Sequence, residues 1–193
     1  MMKKYCGVDY GSKLAGTTVV CYKEAGTLRF LQSEKKKDAD LMLINFLKTH
    51  KFNQVFFDAP LSLPKAYFGN DDDFFYRKGD RILGAMSPMF LGGLTARAIK
   101  LKTAFNKDGI AFFEAYPGGL AKELDLPNNE YKKEAAFIVP LTNMLVESYQ
   151  LKLKVFPANW HQFDSLLAYL IGLRYHAGNA NFFGEESEGG IWV

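Results

Sequence analysis

Cysteine is nearly absent: Cys6 and Cys21 are alone among 193 residues. Two thiols cannot build a disulfide framework, and their spacing matches no zinc site. Both lie in strand-like runs among apolar neighbours, where a free thiol behaves as a small hydrophobe. Long apolar runs are also missing. Val55 to Phe57 and Ile110 to Phe113 are typical, far short of the ~20 residues that cross a bilayer. Met1-Met2-Lys3-Lys4 brings charge too early for the apolar segment of a signal peptide, so no membrane association and a cytoplasmic location are expected. No Gly-x-x-x-x-Gly-Lys-Ser/Thr phosphate loop occurs. Neither a repeat nor a linker divides the chain, which is expected to form one domain over residues 1–193. A net charge of +3 permits a polyanionic partner without demanding one.

What is present reads as a globular α/β protein, with 48% hydrophobic and 23% charged residues. Lys4 to Asp9 and the β-branched run Gly16 to Tyr22 flank a glycine-bearing turn and predict a hairpin. Leu28 to Ser33 adds a third strand, completing an antiparallel meander. Asp38 or Asp40 caps a helix reaching about Thr49, with Leu41, Ile44 and Leu47 on one face. Gln54 to Asp58 and Gly109 to Glu114 are apolar runs suited to parallel strands covered on both faces. Leu91, Leu94, Ala98, Leu101 and Phe105 recur at helical spacing. Lys132 to Gln150 reads as a helix that Pro140 must start or kink. Asn159 and Gln162 form the capping signature of a final helix running to about His176. The expectation is a mixed five-stranded sheet, the meander plus two parallel strands, flanked by helices.

Ligands in such sheets bind beyond the carboxyl ends of the parallel strands. Asp9, Asp58 and Glu114 each end an apolar strand, and neighbouring strands would space them by roughly 5 Å. Asp164 stands on the final helix among Trp160, Leu167, Ala168 and Ile171, on the face that must meet the sheet. An unpaired buried carboxylate costs several kcal/mol, so a cation or strong donor is expected opposite it. A row of carboxylates suits Mg²⁺ or Mn²⁺, which take hard oxygen ligands and serve phosphodiester hydrolysis. Each acid also has an ordinary structural role open to it. Asp9 could bond the Gly11 and Ser12 amides, Asp58 could form an Asx turn, Glu114 could pair with a lysine, and Asp164 could favour the helix dipole.

Several segments together resemble an uncharacterised family of predicted RNase H-like nucleases. They are Gly7-Val8-Asp9-Tyr10-Gly11, Phe57-Asp58-Ala59-Pro60-Leu61-Ser62-Leu63-Pro64, Arg77-Lys78-Gly79-Asp80-Arg81, Glu114-Ala115-Tyr116-Pro117, Phe163-Asp164-Ser165-Leu166-Leu167-Ala168 and Glu188-Gly189-Gly190-Ile191-Trp192. The resemblance spans nearly the whole chain. It implies an RNase H-like fold and a Mg²⁺- or Mn²⁺-dependent nuclease site at Asp9, Asp58, Glu114 and Asp164, with DNA or RNA as partner. The family often has a second acid soon after the helix Asp, where this chain has Ser165 to Ala168.

The long segment Leu61 to Pro88, with its acidic run Asp71 to Asp73, has the length of a binding or lid element. Within it, Arg77, Lys78 and Arg81 are expected to grip a phosphate, with Asp80 orienting one arginine. Phe74, Phe75 and Tyr76 could stack on bases or anchor the loop. His161, three residues before Asp164, could point near the site but reads first as a partly exposed first-turn residue. Glu185, Glu186 and Glu188 could supply another ligand but read first as a solvated tail, and Ile191 to Val193 as a terminal staple. Two other functions compete with the nuclease. Asp9-Tyr10-Gly11-Ser12-Lys13 resembles the first phosphate loop of actin-like ATPases and sugar kinases, although those close two such domains and this chain has length for one. The other alternative is a catalytically silent binding domain.

Overall fold

The β-branched and aromatic runs become strands because their stiff side chains fit a pleated, covered surface. They are β1 (Tyr5–Asp9), β2 (Val19–Glu24), β3 (Thr27–Gln32), β4 (Gln54–Asp58), β5 (Ala111–Ala115), β6 (Phe182–Phe183) and β7 (Ile191–Trp192). The computed structural model describes residues 4–69 and 72–193; Met1 to Lys3 of the opening weighed as a signal peptide and Asp71 of the acidic run lie outside them. The strands form one mixed sheet in the order β3-β2-β1-β4-β5-β7-β6. The expected meander is there, with β1, β2 and β3 antiparallel, and β4 and β5 parallel to β1. The sheet has seven strands rather than five. The tail supplies the other two: β7 runs parallel to β5, and β6 pairs antiparallel with β7. The ending is therefore part of the sheet. β2 also starts later than expected, because Gly16 adopts a left-handed turn conformation with φ 76°.

The helices are α1 (Ala39–His50), α2 (Lys78–Leu83), α3 (Pro88–Leu91), α4 (Gly93–Lys107), α5 (Pro117–Glu123), α6 (Ile138–Tyr149) and α7 (Trp160–Ala177). Asp38 caps α1 through the amides of Asp40 and Leu41. Asn159 caps α7 through the Gln162 amide, while Gln162 reaches back to the Ala158 amide. Pro140 is accommodated in the first turn of α6, where its missing N–H costs nothing. Among the described residues no helix is long and apolar enough to cross a membrane.

Two cores lie on opposite sides of the sheet. One joins Cys6, Val8, Val55 and Phe57 to Leu43 and Leu47 of α1 and Ala98, Leu101 and Phe105 of α4. The other joins Phe56 to α5, α6 and the long buried face of α7. Strand residues alternate between these layers, as the period of two requires. At Gly7 the second layer presses hardest. A Cβ there would stand 2.1 Å from the Tyr169 amide nitrogen, so only glycine lets α7 lie this close to β1. That approach carries Asp164 to the end of the strands.

Candidate functional site

β1 and β4 pair in register, with Asp9 directly beside Asp58. Both therefore project to the side of the sheet that faces α7. On α7, Asp164 comes down against them. One carboxylate oxygen from each of Asp9, Asp58 and Asp164 lies within 4.8 Å of the other two. Asp9 and Asp164 are buried and Asp58 is half-buried. These carboxylate oxygens could together hold a metal ion.

The three acids are held unequally. His161 lies one helical turn before Asp164, and its Nδ1 bonds Asp9 Oδ2 at 2.8 Å. Asp164 accepts from the Tyr131 hydroxyl at 2.7 Å and from Lys132 Nζ at 2.6 Å. Among the described residues no donor reaches the Asp58 carboxylate. Burial, then the charges of Asp9 and Asp164, push its carboxyl well above the usual range, with Lys132 opposing. Burial also raises the Asp164 carboxyl, although Lys132 and Tyr131 pull it down. The hydrogen bond to Asp9 raises the His161 imidazole, against its partial burial. Asp58 is thus the member of the three on which negative charge is least compensated and most costly.

Glu114 is not brought into this cluster. β5 pairs with β4 so that Glu114 faces Phe57 rather than Asp58, a one-residue offset that turns it towards the α1 and α4 side. There both oxygens accept from Arg77, at 2.6 Å each, and Oε2 also accepts from the Leu61 amide at 2.8 Å. Arg77 does not offer itself to a phosphate. It is 1% exposed, and all five guanidinium N–H groups are engaged, by Glu114, by both oxygens of Asp80 and by Ser62 Oγ. Burial opposes its charge, yet the bonds from Glu114 and Asp80 outweigh that and hold it above its ordinary value. Asp80 does orient Arg77, as expected, but into a closed ion-pair centre. Lys78 and Arg81 are surface residues. Lys78 pairs with Glu185, and Arg81 pairs with Asp73 while lying 3.9 Å over the Tyr76 ring.

Between the two ionic groups a cleft of about 360 Å³ opens beyond the strand ends. Asp9, Asp58, Glu114, Tyr116 and Lys132 line its polar side, and Met86, Leu91 and Leu94 its apolar wall. Neither Lys78 nor Arg81 lines it. Sequence reasoning missed Tyr131 and Lys132, the latter read as the start of a helix, and understated His161. The helical offset of three between His161 and Asp164 was the one available signal. Glu188 is likewise no solvated tail residue: it is buried and accepts from the Lys65 and Lys78 amides. Comparison with protein-family models, curated proteins and solved structures finds no match for this chain.

Proposed function

We propose that this protein is a divalent-metal-dependent phosphodiesterase acting on nucleic acid, built on an RNase H-like sheet. The observation that carries the reading is the convergence of Asp9, Asp58 and Asp164 from two parallel strands and a helix. The meander followed by parallel β4 and β5 supports the fold assignment, with β6 and β7 as an extension. Asp9, Asp58 and Asp164 would hold Mg²⁺ or Mn²⁺; an ion bound there supplies charge stabilisation at phosphoryl oxygens and a water acidified for attack. Asp58, lacking any described donor, is the carboxylate with most coordination capacity to offer. Asp9 fixes the His161 ring through Nδ1, leaving Nε2 to exchange a proton with the attacking water or the leaving oxygen. Exposed Phe90, next to Leu91 of the cleft wall, and Phe75, whose ring lies 5.7 Å from it, offer aromatic surface for base stacking.

A second reading, a domain that binds without catalysis, draws on the Lys132–Asp164 ion pair, which already neutralises one carboxylate, and on the loss of Glu114 to Arg77. One assay separates them. Single-stranded, duplex and hybrid substrates are incubated with Mg²⁺, Mn²⁺, Ca²⁺ or EDTA, using wild type and Asp58→Asn. The nuclease reading expects cleavage with Mg²⁺ or Mn²⁺ that is lost in EDTA and in Asp58→Asn. Cleavage that persists in either, or no cleavage of any substrate, refutes it.

A further inference from the structure

Among the described residues, Lys132 and His161 are the two cationic side chains that pair with the carboxylate cluster. Lys132 Nζ sits 2.6 Å from Asp164 Oδ2 and 5.3 Å from the centroid of the Tyr131 ring. The backbone is set to deliver it. Lys132 has φ 59°, a left-handed conformation that costs a non-glycine residue of order 1 kcal/mol or more and persists where surroundings enforce it. Tyr131, immediately before, anchors the same turn through its hydroxyl on the other Asp164 oxygen. Two adjacent residues therefore occupy both oxygens of one proposed ligand. The Lys132 side chain is 50% exposed and lines the cleft, so its ammonium can leave without disturbing the core.

We propose that Lys132 is a positioning residue that stands in for the divalent ion, so that its ion pair with Asp164 and metal binding are mutually exclusive. This rests on the proposed metal site and adds to it. Without metal, three carboxylates crowd within 4.8 Å, and the ammonium offsets part of their repulsion. A divalent ion entering the same space meets a like charge and must expel it. The lysine thus stabilises the empty site and weakens the loaded one. The flexible four-carbon stem, half exposed at the cleft, gives the ammonium somewhere to go.

The test uses the full chain, with Mn²⁺ itself as the probe. Mn²⁺ affinity is measured calorimetrically for wild type, Lys132→Gln and Lys132→Arg, and melting is recorded in EDTA. Lys132→Gln should melt lower in EDTA yet bind Mn²⁺ about tenfold tighter, while Lys132→Arg, which keeps the charge, stays near wild type. A purely structural lysine would move stability and affinity in the same direction. Unchanged or weaker Mn²⁺ binding in Lys132→Gln overturns the competition and leaves the metal site standing. No Mn²⁺ binding by any of the three proteins overturns the metal site and the competition with it. A measurement on wild type needs no variant to fold: titration with diamagnetic Mg²⁺ should shift the Lys132 side-chain Cε–Nζ resonances as saturation is reached. Resonances that stay fixed while Mg²⁺ binds overturn the proposal.

Discussion

The Arg77 guanidinium holds two buried carboxylates at once, those of Asp80 and Glu114. Replacing Arg77 by methionine keeps much of the volume and removes the charge. Five N–H donors disappear from a centre in which the Arg77, Asp80 and Glu114 side chains are 0%, 1% and 8% exposed. Glu114 and Asp80 are left buried without their cation, and breaking such a pair costs about 3–5 kcal/mol. In a chain of this length each kcal/mol shifts the midpoint by roughly 2–4 °C, so Arg77→Met should melt roughly 10 °C lower. Two further arms locate the cost. Adding Glu114→Gln and Asp80→Asn removes the stranded charges and should recover much of the loss. Repeating the urea titration of Arg77→Met at about pH 5 and about pH 8 should show the defect deepening with pH. A carboxylate whose folded pKa is raised gives stability below its unfolded pKa that is lost as pH rises through the folded one. Arg77→Met with a wild-type midpoint but weakened, less salt-dependent substrate binding would refute this reasoning and restore Arg77 as a phosphate contact.

Asp58→Asn should raise the melting temperature in EDTA, because it removes the carboxylate that no described donor satisfies; a lower midpoint would show that Asp58 has a structural partner. Wild type in EDTA should lose stability as pH rises from about 4 through the raised carboxyls of Asp58 and Asp164, and Asp58→Asn should flatten that slope; parallel profiles would contradict the charge crowding. Gly7→Ala should abolish or severely weaken folding, since its Cβ would meet the Tyr169 backbone at 2.1 Å; a wild-type denaturation curve would show that α7 can retreat.

The layer architecture was largely legible because its signals are local. The turn between β1 and β2, the Asp38 and Asn159 caps and the apolar β4 and β5 runs each rest on neighbouring residues. β6 and β7 were not legible, as two residues carry no period, and only pairing of β7 with β5 and β6 makes them strands. Lys132 escaped for a related reason. Lys132 and Lys133 read as the start of a helix, while the chain makes a left-handed turn at Lys132 before the 3₁₀ turn Ala135–Phe137.

Glu114 shows where strand-end reasoning stops. Asp9, Asp58 and Glu114 all end apolar strands, but β1, β4 and β5 are covered on both faces and so lack the alternation that would tell which face the last residue takes. Register decides it: Asp58 pairs with Asp9, and Glu114 pairs with Phe57. That single step sorts the polar groups into two centres of opposite character. On the α1 and α4 side, the chain supplies its own cation, saturates it with five hydrogen bonds and closes the site. On the α7 side it brings three acids together and, among the described residues, sets against them a half-exposed lysine, a half-exposed histidine and the uncharged Tyr131 hydroxyl. A fold that can build a fully compensated ion-pair centre one strand position away has left this second cluster under-compensated. The missing positive charge is what a divalent cation would bring.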